Sequence, residues 1–390
     1  MLEADGIEFR GRRGIFPVGS EPRGKSQLIS SLASVFRDVS TSRCGMNRKA
    51  WLLTPVVATM LIAPTFSGEK GGVDLTGPYD VVPNWMKPIE EGVTTFVVSV
   101  FAESPDRILV TSTGATPGKQ VGTFNPKTPG AKLDHLMLVM DRNGNVIEEW
   151  RQWFSLWGNP HYVRVNPYDP EKHVWFLDRE AQQIFEFTRD GKTLVKTLGE
   201  KGVAAADDKH FGRPAEIVWL PDGTAFVADG YQNRRVVKLD KDGKFVMAWG
   251  TEGKGPGQFG GIVHGIAVDA KRRVYVTDAG NHRIQIFNEN GTYLDEWPVP
   301  GPVRIMVTQD QSVWVLDNSA QRMVKYNTAG KLLTYWGTAG DFPGGFAGTH
   351  DFSVDSEGNL YIDVGFNHRI EKFVPKPGAD RSRLVGQPMK

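Results

Sequence analysis

A unit of short strands recurs along most of this chain, and that repetition restricts the fold more than any other feature of the sequence. One copy, GIVHGIAVDAKRRVYVTDAGNHRIQIFNENG, begins at Gly261. Its segments GIAVD, RVYVTD and HRIQIF are short, apolar or alternating, and the turn runs DAKR, AGN and NENG separate them, which is the pattern of a β-meander. Related copies begin at Pro160 (PHYVRVNPYDPEKHVWFLD), Arg213 (RPAEIVWLPDGTAFVAD), Gly301 (GPVRIMVTQDQSVWVLD) and Gly348 (GTHDFSVDSEGNLYID). An earlier, less regular copy runs TTFVVSVFAESPDRILVTSTG from Thr94 and resumes after an insertion as LDHLMLVMDRNGNVIEEW. Six copies at a period of roughly 40 residues match four-stranded propeller blades. The last copy has three strands, ending near Val374, and YDVVPNWMKP (Tyr79–Pro88) is placed to add the fourth. Closing the ring in this way hides the edge strands that favour aggregation. The expectation is an all-β, six-bladed β-propeller over residues 77–376, with 377–390 a C-terminal tail lying as surface loop.

Histidine appears in this repeat with a register of its own. The second strand of each regular copy ends in Asp (Asp178, Asp229, Asp278, Asp317, Asp363), which together with nearby Asn and Arg is suited to tying blade to blade. Fourteen residues before that Asp stand Ala215, His264 and Val303. Allowing for a longer turn in the second copy and a turn one residue shorter in the last, the equivalent positions are His161 and His350, and in the first copy about Phe96. The series Phe96, His161, Ala215, His264, Val303, His350 therefore puts histidine in alternate blades. First strands line the channel of a propeller, and alternate blades of six are about 120° apart, so three imidazoles converge on the axis. Three nitrogen donors with a fourth position open suit a catalytic zinc ion. A lone histidine is usually a packing or capping residue, but three at one position in alternating copies are not explained that way. His135, His173, His210, His282 and His368 lack the register and read as surface or turn residues.

The net charge is +1, which gives no electrostatic case for nucleic acid or an anionic membrane as partner. Cys44 is the only cysteine, so no internal disulfide forms. From Met46, MNRKAWLLTPVVATMLIAPTFSGEKGG has a basic start, an apolar stretch to about Pro64 and small residues after it, the pattern of a signal peptide over 46–67. It is too short and Pro-interrupted for a good transmembrane span. Residues 1–45 are polar, aperiodic and Gly/Arg/Ser-rich, and read as a mis-called extension ahead of a true start at Met46, or else as a disordered tail before a signal anchor. The expectation is a secreted or periplasmic monomer without a stable membrane span after cleavage near Ser67. GKGPGQFGG lacks the Lys-Ser/Thr ending of a phosphate loop, and no Gly-x-Ser-x-Gly elbow is present.

The unit resembles an NHL repeat. With NPHYVRV, IVHGIAV, GTHDFSV and ADGYQNRRV, the chain is similar to peptidyl-α-hydroxyglycine α-amidating lyases, six-bladed propellers that cleave a hydroxylated C-terminal glycine into a peptide amide and glyoxylate. The resemblance implies zinc on His161, His264 and His350, Tyr231 as catalytic base, and Asp351 as a contributor to a structural calcium site. Blade topology independently places the turn of Tyr231 on the same rim as the histidines, where a nearby divalent cation would lower its pKa. Two departures stand out. Where the lyase has arginines, in the turn after the second strand of the first blade and directly after the Asp equivalent to Asp278, this chain has about Thr113 and Ala279. Arg179, after Asp178, is a partial substitute from another blade. The readings left open are a lyase-like or hydrolytic metalloenzyme acting on a small-molecule or peptide-derived substrate with an altered pocket, a non-catalytic protein- or ligand-binding module, and a calcium-dependent propeller hydrolase. The last would need several channel Asp, Glu or Asn ligands.

Overall fold

Residues 75–389 are described by a computed structural model. The extension, the signal segment and Cys44 lie outside the described residues. Six four-stranded antiparallel sheets follow one another along the chain, one for each sequence copy. The first strands are Val93–Ser104, Pro160–Val165, Glu216–Trp219, Val263–Val268, Pro302–Val307 and Thr349–Val354. Tyr79–Val82 pairs antiparallel with Arg369–Pro375 and completes the sixth blade, as expected from its sequence. A small parallel pair, Thr251–Glu252 with Gln258–Phe259, lies outside the blades. No helix among the described residues is long and apolar enough to cross a membrane.

Burial falls from the axis outward. In Pro160–Val165 and Val263–Val268 every residue is buried, whereas the outer strand Leu194–Leu198 alternates between half-buried and exposed. Continuous apolar sequence therefore makes inner strands, and alternating sequence makes edges that face water on one side. Apolar clusters lie between blades rather than within them. One joins the fifth and sixth blades through Met306, Trp314, Trp336, Phe352 and Phe373. A recurring device locks adjacent blades. Trp150 lies over Gly191 of the next blade, where φ is +69° and a Cβ would come within 2.1 Å of the indole; Trp249 and Gly291 repeat the arrangement. Only glycine provides both the backbone conformation and the space.

The C-terminal tail is more than surface loop. Val385 is 3% exposed, its N–H donates to the Tyr79 hydroxyl at 2.8 Å, and Met389 N–H donates to Val307 O at 3.0 Å. The tail is tied to both the closing strand and the fifth blade.

Candidate metal centre

His161, His264 and His350 start the inner strands of the second, fourth and sixth blades and meet at the axis. Their ring centroids are 5.0, 4.8 and 4.6 Å apart, close to an equilateral triangle. His264 Nε2 is 2.9 Å from His350 Nε2. Each Nδ1 lies 2.8 Å from a carbonyl oxygen of the following blade: Ala215 for His161, Val303 for His264, and Val98 for His350. A carbonyl only accepts, so Nδ1 carries the proton and Nε2 presents a lone pair inward. Burial holds His350 down at a pKa of about 4 and His161 and His264 well below the ordinary value, with neighbouring positive charge adding to the effect. Three buried, neutral, pre-oriented imidazoles fit a transition-metal ion.

The structure corrects two registers. The first-blade counterpart is Val98, not Phe96, because its inner strand pairs with register shifts at Thr95/Val97 and Val97/Ser99. In the sixth blade the strand-end position is Val364, which aligns with Arg369 as Asp278 does with Arg283. His350 thus stands fourteen residues before it, and no turn is shortened. Asp363 points to the opposite face, fully buried, with neither carboxylate oxygen hydrogen-bonded, and burial pushes its pKa well up. Of the off-register histidines, His282 and His368 cap short turns in the left-handed conformation. His135 is buried at 5% exposure between Glu149 (3.0 Å) and Glu90 (3.3 Å), not on the surface.

Tyr231 does reach the centre. Its hydroxyl is 3.0 Å from His161 Nε2 and 2.8 Å from His264 Nε2. The Arg179 guanidinium lies 4.7 Å from the centroid of its ring and donates from Nη2 to Asn159 Oδ1 at 2.9 Å. Burial raises the phenol pKa and Arg179 pulls it back. The protein's own groups therefore keep the proton on Tyr231, and the expected lowering depends on the added positive charge of a bound cation.

Asp351 is not part of the histidine group. It lies in a second layer built from residues that directly follow the axis positions: Ser99, Glu216, Arg304 and Asp351, joined by Arg164. Arg164 holds Asp351 through Nη1 and Nη2 at 3.0 and 2.9 Å, and Glu216 through Nε at 3.0 Å. Arg304 sits 2.7 Å from Glu216 and 3.1 Å from Asp351. Ser99 Oγ and Val100 N–H donate to Asp351 at 2.6 and 3.0 Å, and Ile266 N–H donates to Glu216 at 3.2 Å. Four blades supply the charges of this alternating ring, and the first and fourth add only the hydroxyl and backbone donors Ser99, Val100 and Ile266. Calcium takes six to eight oxygen ligands. Two guanidinium groups around Asp351 leave no such cage, so the residues present do not fit calcium there. Nothing in the sequence register singles out Arg164, whereas Glu216 and Arg304 directly follow the axis residues Ala215 and Val303 and carry a positional signal.

Residues 262–287 match the NHL repeat model, and the six blades are the ring such repeats build. The chain is an NHL-repeat β-propeller. Among curated relatives, this NHL-repeat propeller is 31% identical over 286 residues to peptidyl-alpha-hydroxyglycine alpha-amidating lyase 1 of Drosophila melanogaster, covering 64% of the chain and 51% of the relative. It is 26% identical over 274 residues to peptidyl-glycine alpha-amidating monooxygenase B of Xenopus laevis, covering 65% of the chain and 30% of the relative. The chain thus spans about a third of that monooxygenase and about half of the fly lyase. A solved X-ray structure whose proposed identity is a gluconolactonase superposes with a TM-score of 0.53 at 13% identity, covering 78% of this chain and 98% of that one, a likeness of fold alone.

Proposed function

We propose that this NHL-repeat propeller is an exported metalloenzyme, lyase-like or hydrolytic, that works as a monomer on a small-molecule or peptide-derived substrate. His161, His264 and His350 would hold a divalent metal, for which neutral imidazoles favour zinc. The observation that carries the reading is the inward convergence of three Nε2 atoms whose Nδ1 partners are backbone carbonyls. Such an ion, when bound, supplies Lewis acidity toward a substrate oxygen or a hydroxide at neutral pH. Tyr231, between two of the ligands, is the group positioned to take up and return a proton at its phenolic oxygen. The buried charge layer below the histidines closes the channel on that side, so substrate enters from the rim that bears Tyr231 and Arg179. The likeness to amidating lyases supports cleavage at a carbon that bears oxygen, with a pocket altered at Thr113 and Ala279.

Glyoxylate release from a peptidyl-α-hydroxyglycine, by the zinc-loaded protein and by its Tyr231→Phe variant, tests the reaction class. Weak turnover that disappears in the variant is expected. Equal rates in the two proteins would remove Tyr231 from the chemistry.

A further inference from the structure

The second blade carries another group of ligating side chains at its far end. Its inner strand begins beside His161 and runs away from the histidine rim, so the turn 166–173 lies at the opposite end of the blade. In that turn Asp169 Oδ2 accepts from His173 N–H at 2.8 Å and lies 2.7 Å from Nδ1 of the same residue. Glu186, on the third strand, brings Oε1 to 3.5 Å from that nitrogen. One ligand atom from each of the three residues lies within 4.8 Å of the others. They line a cavity of about 240 Å³ between the second and third blades, walled also by Trp175, Trp219 and Lys196. Glu186 is 8% exposed, and its Oε2 is buried without a hydrogen bond. Lys196 Nζ stands off from that oxygen at 3.4 Å.

The other blades show what is unusual here. Asp269 and Asp355 hold the same turn in the fourth and sixth blades, paired with Arg273 and Asn359. Each also accepts from a tyrosine hydroxyl of the second strand, Tyr275 and Tyr361, at 3.0 Å. In the second blade that strand position is Trp175, whose indole N–H has no partner, and the residue paired with Asp169 is an imidazole. Opposite this position on the third strand stand Lys238, Lys325 and Lys372 in the third, fifth and sixth blades, and Ile286 in the fourth. The second blade has Glu186 there instead. Lys196, from the outer strand, supplies the cation over the aromatic ring, 5.8 Å from Trp175. Two carboxylates thus share one lysine around an imidazole, and a sheltered excess of negative charge is stabilised by a further cation.

We propose that Asp169, His173 and Glu186 form a second metal site, for a divalent transition-metal ion of the zinc class. Carboxylates alone would suit calcium or magnesium, and the imidazole turns the preference toward zinc. Glu171 Oε2, 3.3 Å from His173 Nε2, is placed to accept the imidazole proton there, which leaves the Nδ1 lone pair for the ion. Lys196 competes with the ion for Glu186, so the site is exchangeable and empties on dialysis. Nothing in it depends on the axis histidines holding a metal.

The test is calorimetric titration of zinc ions into dialysed His264→Ala, in which the axis triad is broken, and into the same protein carrying Glu186→Lys or Lys196→Met, each checked for its fold by circular dichroism. His264→Ala should take up about one zinc per chain at saturation. Glu186→Lys, which supplies the residue type of three other blades, should weaken that binding by at least about a hundredfold. Lys196→Met should tighten it by about tenfold, which the loss of a merely structural ion pair would not do. Titrated in the same way, the wild type should lose about one equivalent on Glu186→Lys, so the outcome does not hang on the axis variant. No saturable zinc in a folded His264→Ala would overturn the inference. Equal affinity with and without Glu186→Lys would do the same, as would an affinity that Lys196→Met leaves unchanged or weakens.

Discussion

At the scale of single residues, the histidines are prepared for a metal before one arrives. Each Nδ1 is committed to a carbonyl of the next blade, so the cost of choosing a tautomer and a ring orientation is met by folding. This has a consequence for pH. The folded pKa of His350 is depressed to about 4, against about 6.5 for an exposed imidazole. Between those values the unfolded chain binds more protons, so stability is fully present above the unfolded pKa and is lost as pH falls through this window, at about 1.4 kcal/mol per pH unit for each such histidine. Urea titrations of the metal-free protein from pH 7 to pH 4 should show this decline, with a shallower slope in His350→Gln; equal slopes would contradict it. Thr113 and Ala279 belong to the same scale. If they mark missing substrate contacts, Ala279→Arg should raise kcat/KM for a peptidyl-α-hydroxyglycine by about ten- to a hundredfold, the worth of one charge-assisted contact, and an unchanged value would show that Arg179 already fills the role.

At the scale of strands and layers, the axis is stacked in two tiers, a histidine tier and a closed ring of four charged side chains. Arg164→Leu would leave Arg304 alone to neutralise two buried carboxylates, at a cost on the order of 3 kcal/mol. A lowered denaturant midpoint that millimolar calcium does not restore is expected, and a wild type whose midpoint rises with calcium would contradict the assignment of this layer. The same tiers show how far the sequence could be read. The blades were legible because each strand carries its own periodicity and each turn its own breakers. The histidine triad was legible because it is a register inside that repeat. The charged ring was not, since its members come from four blades and their pairing is a product of closure. The calcium role of Asp351 rests on the family resemblance, which carries no information on the arginines that closure brings around it. The repeat spacing leads to Phe96 instead of Val98 because the first inner strand is twelve residues long and slips register, and a slip leaves no mark in a hydrophobic pattern. Asp363 matches the strand-end acid in residue type, and its one-residue offset is visible only in the pairing of Val364 with Arg369.

At the scale of the whole molecule, the ring holds together because its first strand, Tyr79–Val82, completes its last blade. Tyr79 is fully buried against Trp336 and Phe373, and its hydroxyl accepts from Val385 in the tail. Tyr79→Ala should therefore lower stability by about 3–5 kcal/mol in equilibrium denaturation, the range for emptying a large aromatic site, and a loss within that of a surface substitution would show that closure does not depend on this strand. Export belongs to this scale too. Material expressed in a bacterial host from its native start should begin near Ser67 or Gly68, and mass analysis finding residues 1–45 retained would contradict the signal-peptide reading. The central claim, that the propeller is a scaffold for a three-histidine metal site, is tested most directly by elemental analysis of the dialysed wild type and of His264→Ala, with the fold checked by circular dichroism. The account predicts about one zinc per chain in the wild type, as for a three-ligand catalytic site, and none in a variant that remains folded; no transition metal in the wild type, or equal metal in both proteins, would contradict it.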